Sequence, residues 1–109
     1  MIEPPEAMIE RGTVRANHPM LAGHFPGHPI VPGAWLLAWV TVALQRRLAA
    51  ADDPRAVGGV KRVKFARPLA PEKPFDCTFK AGTDSVRFTL TADGAIVVEG
   101  SLQLHVRGN

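Results

Sequence analysis

The carboxy-terminal half of the chain alternates apolar and polar positions. Phe75, Cys77 and Phe79 take turns with Asp76, Thr78 and Lys80, and Val86, Phe88 and Leu90 with Arg87, Thr89 and Thr91. Over residues 96–106, Ile96, Val98, Leu102, Leu104 and Val106 fall on one face, and Glu99, Ser101, Gln103 and His105 on the other. Period-two alternation predicts antiparallel strands with one wet face and one core face. Asp93-Gly94, between two such runs, is a two-residue hairpin signal. Residues 59–67 predict a further strand, with Val63 and Phe65 on one face and Arg62 and Lys64 on the other, and residues 8–16 a first one. The run Pro68-Leu69-Ala70-Pro71-Glu72-Lys73-Pro74 predicts a proline-broken bend.

Residues 34–51 follow a different rule. Pro32-Gly33 opens them, and Arg46 and Arg47 sit toward the end, where cations suit a helix dipole. Trp35, Leu36, Leu37, Trp39, Val40, Val42 and Leu44 cover every side of a helical wheel, which predicts a helix buried all round. The segment is too short, and too rich in alanine at its end, for a membrane span. Strands with a bare apolar face and a helix apolar all round satisfy each other. The expected class is α+β, one antiparallel sheet curled around one central helix, with residues 1–109 as a single domain.

Composition narrows the setting. A chain of 109 residues buries a modest core, so association into a homodimer or higher oligomer is expected. The single cysteine, Cys77, excludes an intrachain disulfide, sits at a core-facing strand position and fits a reducing cytoplasm. The first residues, Met1-Ile2-Glu3-Pro4-Pro5-Glu6, lack the basic and apolar regions of a signal peptide. A formal charge of +3, with no aromatics interleaved among the basic residues, argues against nucleic acid. Arg46, Arg47, Lys61, Arg62, Lys64 and Arg67 read as a solvated face, or more sharply as a docking surface for an acidic partner.

Candidate chemistry lies in Gly23-His24-Phe25-Pro26-Gly27-His28-Pro29-Ile30-Val31-Pro32-Gly33. Three prolines fix φ and three glycines permit turns closed to other residues, so the loop is built to hold one imidazole, that of His24. His28 forms no metal pair with it, because no third ligand is evident.

This stretch, followed at once by the apolar helix, resembles the hotdog-fold 3-hydroxyacyl-[acyl carrier protein] dehydratases. Ala38-Trp39 is similar to the aryl polyene (ApeI-like) subgroup, where an acid followed by Trp is common. Val60-Lys61-Arg62-Val63-Lys64-Phe65-Ala66-Arg67-Pro68-Leu69-Ala70-Pro71 is similar to the second family signature. The resemblance covers residues 17–74. It implies a hotdog fold and removal of water from a 3-hydroxyacyl thioester carried by acyl carrier protein or coenzyme A, with no metal or other cofactor. His24 would take the α proton, and backbone N–H at Gly33 would hold the thioester oxygen. Histidine suits such a base and a helix start offers free donors. Phe25, Pro32, Trp35 and Trp39 are the expected substrate-side residues, and the two tryptophans would shorten an acyl tunnel.

The family's helix acid lies fourteen positions after the histidine, and here that position is Ala38. No Asp or Glu occurs from Met20 through Ala51. Three readings follow: an impaired dehydratase in which His24 serves as both base and acid, a degenerate subunit that pairs with an active homologue, and a binder of acyl chains or acyl carriers.

Overall fold

The computed structural model describes residues 8–21 and 30–106. In chain order they form β1 (Met8–Gly12), a 3₁₀ turn (Pro19–Leu21), α1 (Gly33–Ala50), β2 (Arg55–Phe65), β3 (Phe75–Ala81), β4 (Ser85–Ala92) and β5 (Ala95–Val106). The strands make one sheet in the order β1-β3-β4-β5-β2, antiparallel throughout, with β1 and β2 at its edges. This is the expected class, one sheet against one helix.

Local chemistry explains the borders. Pro32 stands just before α1 with φ −60° and ψ 137°, and its carbonyl accepts from the N–H groups of Trp35 and Leu36 at 3.1 and 3.2 Å. The helix therefore starts at Gly33, with a proline where its missing N–H costs nothing. At the other end the Asp53 N–H reaches the Leu48 carbonyl at 2.9 Å, and Asp52 takes a left-handed φ of 54°. Asp93 and Gly94 both have positive φ, 53° and 74°, the conformation of a tight hairpin turn between β4 and β5.

Leu36, Val40, Ala43, Leu44 and Leu48 recur at helical spacing and are buried against the sheet. They meet a floor that includes Phe79, Phe88, Leu90, Val98 and Leu102, each at most 1% exposed. Cys77 lies in this floor as expected, and burial first, then the charge of Glu10, pushes its thiol up to about 12. It is no nucleophile at neutral pH.

Four details differ from the sequence reading. The helix is not buried all round: Ala34, Ala38, Val42 and Ala49 are exposed, because one sheet covers only one side of it. The first strand ends at Gly12, and β2 begins earlier than expected, at Arg55. The alternation of β5 breaks where the pairing slips between Leu90↔Val98 and Thr91↔Ile96. Val97 is the extra residue; it turns inward beside Val98, and Ile96 is left 36% exposed. Finally, the Arg46 and Arg47 side chains, the first 66% exposed as a solvated face requires, also have a partner that the sequence does not announce. Glu10 of β1 accepts from Arg46 at 3.3 Å and from Arg47 at 2.6 and 3.0 Å, tying the edge strand to the helix.

Arg55 starts β2 with its backbone N–H and its guanidinium both on Asp53, at 2.8 to 3.0 Å. The Arg55 side chain, then its N–H, lowers the Asp53 carboxyl from 3.8 to about 2. A carboxyl depressed by folding adds stability above its unfolded value, and that contribution disappears as pH falls through the folded value. Thermal melts from pH 7 downward should therefore show Asp53→Asn less stable than the parent at neutral pH. The two curves should converge as the pH drops from about 4 toward about 2.

A candidate active site at the start of the helix

Three backbone ties assemble the site. The Val31 N–H donates to the Leu69 carbonyl at 2.9 Å, joining the segment before α1 to the bend after β2. The N–H groups of Ala66 and Arg67 both reach the Val97 carbonyl, at 2.8 and 3.3 Å, so the inward bulge of β5 holds the end of β2. The Arg67 side chain adds a bond from Nε to the Ile96 carbonyl at 3.0 Å.

Between these ties lies a cavity of about 470 Å³ whose walls include Ile30, Val31, Leu36, Phe65, Leu69 and Val97. Gly33 stands on its rim. The helix start carries no side-chain cap and no acidic residue in its first turn. The N–H groups of Gly33 and Ala34 find no acceptor among the described residues. An apolar cavity beside two backbone donors that find no acceptor among the described residues suits a ligand with an apolar chain and a carbonyl oxygen.

The sequence-predicted residues fall in three places. His24 and Phe25 lie outside the described residues. Pro32 and Gly33 are at the helix start. Trp35 and Trp39 are half-buried and neither is among the cavity's lining residues. Trp35 meets His18 edge-on, with ring centroids 5.8 Å apart. Trp39 meets Phe75 edge-on at 4.9 Å, above Gly12, where a Cβ would lie 2.9 Å from the Trp39 ring. Ala38 is on the open side of α1, in line with Ala34 and Val42.

The residue that sequence reasoning missed is Phe65. Its strand position reads as core-facing, yet it is 51% exposed and its ring rests on Gly33. Only the proline-rich bend that follows it hints that β2 stops there.

A family model described as ApeI-like, ApeI dehydratase, matches residues 3–101. The chain belongs to the ApeI-like dehydratase family. It is 30% identical to the 3-hydroxyacyl-[acyl-carrier-protein] dehydratase FabZ of Acetivibrio thermocellus over 94% of this chain and 76% of that protein. It is 32% identical to the FabZ of Roseiflexus castenholzii over 96% and 81%. Among solved structures it is similar to the dehydratase heterocomplex ApeI:P from Xenorhabdus doucetiae, with a TM-score of 0.77 and 23% identity over 96% of this chain and 93% of that one. An acyl-CoA hydrolase of Staphylococcus aureus, solved as its Asn28Ala mutant with coenzyme A, shares the fold at a TM-score of 0.72 and 16% identity, over 94% and 65%. The fold is the hotdog. Among the described residues of this family member, no helix is long and apolar enough to cross a membrane, and no cluster of His, Cys, Asp and Glu could hold a metal ion.

Proposed function

We propose that the protein is a 3-hydroxyacyl thioester dehydratase of fatty acid or polyene synthesis, working in the cytoplasm as a single hotdog domain. The observation that carries this reading is the helix start at Gly33, without a side-chain cap and beside an apolar cavity, directly after the sequence stretch that contains His24. The acyl chain occupies the cavity and the thioester oxygen accepts from the Gly33 N–H. His24 takes the proton from Cα. The electron pair left behind forms the double bond to Cβ as the Cβ–O bond breaks. The departing oxygen takes the proton back from the imidazolium and leaves as water. One group thus acts as base and then acid, because Ala38 supplies no carboxyl. The thioester arrives on acyl carrier protein or coenzyme A, as the acyl-carrier and acyl-CoA chemistry of the similar proteins supports.

A second reading rests on Ala38 and the open helix face around it. The chain is a degenerate subunit that lends His24 to a site completed by a homologue with the acid, an arrangement consistent with similarity to a dehydratase heterocomplex. In either reading the chain works as a homo-oligomer or a heterodimer. The free edge of β2, with Val60 45% exposed, supports association.

The deciding experiment is hydration of a crotonyl thioester by the purified protein alone. A slow rate that His24→Ala removes supports the dehydratase. No rate in the parent protein, with one appearing on addition of an acid-bearing homologue, supports the half-site.

A further inference from the structure

Gly33 is the point where the helix start meets the end of β2. A Cβ built on Gly33 would lie 2.7 Å from Cε1 of Phe65 and 2.9 Å from its Cδ1, so the ring sits in close contact with the glycine. The ring cannot drift freely. Phe65 is paired with Val98 in the sheet, and the next two N–H groups are fixed on the Val97 carbonyl. Its other side is open, at 51% exposure. A large aromatic held half in water has given up favourable burial, and here it packs on the glycine that opens α1.

We infer that Phe65 is a positioning residue for the thioester carbonyl. Its flat ring walls the Gly33 N–H from water and fixes the line along which the carbonyl oxygen must approach. A hydrogen bond to a carbonyl strengthens when competing water is excluded. The contact also explains the residue type at position 33: any side chain there would have to push the ring aside. The inference rests on the reading that the Gly33 N–H receives the thioester oxygen.

The test uses the full-length protein and a trans-cinnamoyl pantetheine thioester labelled with ¹³C at the carbonyl. The carbonyl stretch of the bound thioester is read by difference infrared spectroscopy, so no turnover is needed. The parent protein is expected to shift the stretch to lower frequency. Phe65→Ala is expected to return it to the value in water and to weaken binding by about tenfold or more. Gly33→Ala, which displaces the ring while keeping the N–H, should do the same, and the double variant should be no worse than either single one. Phe65→Tyr keeps the ring and should keep the shift. A shift unchanged in Phe65→Ala, or lost in Phe65→Tyr with a parental melting curve, overturns the inference. An unshifted stretch in the parent protein is a different failure: it removes the Gly33 reading itself, and the role of Phe65 with it.

Discussion

Ala38→Glu is expected to raise the rate of thioester hydration and dehydration by about 10²- to 10⁴-fold, the usual worth of a positioned general acid. The gain should appear in kcat more than in KM, since the new carboxyl, on the open face of α1, serves the departing oxygen in the site of an associated second copy and not the resting substrate. The substitution is sterically free in the chain itself. Ala38 is exposed, its neighbours on that face are Ala34 and Val42, and glutamate is nearly as good a helix former as alanine. Adding His24→Ala to the same protein should erase the gain, because without the base the Cα proton stays in place and nothing drives the oxygen out. Steady-state assays of the four proteins, parent, each single variant and the double, check this. An Ala38→Glu rate equal to the parent's, with His24→Ala also unchanged, would remove the dehydratase reading.

Gly100→Ala should be the most damaging small substitution in the sheet. β2 carries an extra residue between Val60 and Arg62, and this brings its backbone onto β5. A Cβ on Gly100 would fall 2.1 Å from the Arg62 carbonyl oxygen and 2.9 Å from the Val63 Cα. These are backbone atoms with ladder partners on β5, so the strand must move as a unit. The expected cost is about 3 kcal/mol, the upper part of the range for overpacking. For a domain of this size that lowers Tm by more than about 10 °C. Calorimetry or a thermal melt reads it directly, and a melt within a degree or two of the parent would show that the irregular pairing of β2 relaxes freely.

The two halves of the fold were unequally legible in the sequence. β3 and β4 read correctly because Cys77, Phe79, Phe88 and Leu90 sit on a strict two-residue period over a buried floor. Asp93-Gly94 announced its turn through residues that tolerate positive φ. Ile96 was misread because one inserted residue, Val97, takes the inward place and turns Ile96 away from the face that Val98, Leu102 and Leu104 keep, and an insertion leaves no mark in composition. The open side of α1 was misread for another reason. An apolar wheel says which residues tolerate burial, and how much cover exists depends on the number of layers, one in this chain. At the helix start, Gly33 was legible from Pro32-Gly33 before an apolar run. Phe65 was not, because its partner across the contact comes from the other end of the β2 connection and no local pattern encodes it.

The ties around the helix start also bear on the order in which the molecule assembles. β3, β4 and β5 form a meander of neighbouring strands, which closes through short loops. The segment before the helix and the stretch after β1 are held by distant partners: Val31 with Leu69, Val14 with Glu72, and Ala16 with Glu72, the last pair 56 residues apart. Contacts between remote segments lose the most chain entropy and tend to form after local ones. The meander is therefore expected to fold first and the cavity at the helix start last. In native-state hydrogen exchange, the N–H groups of Val31 and Glu72 should open at lower free energy than those of Phe79, Phe88 and Leu102. A cavity that opens without unfolding the sheet would let a bulky ligand enter and leave a protein whose core stays closed.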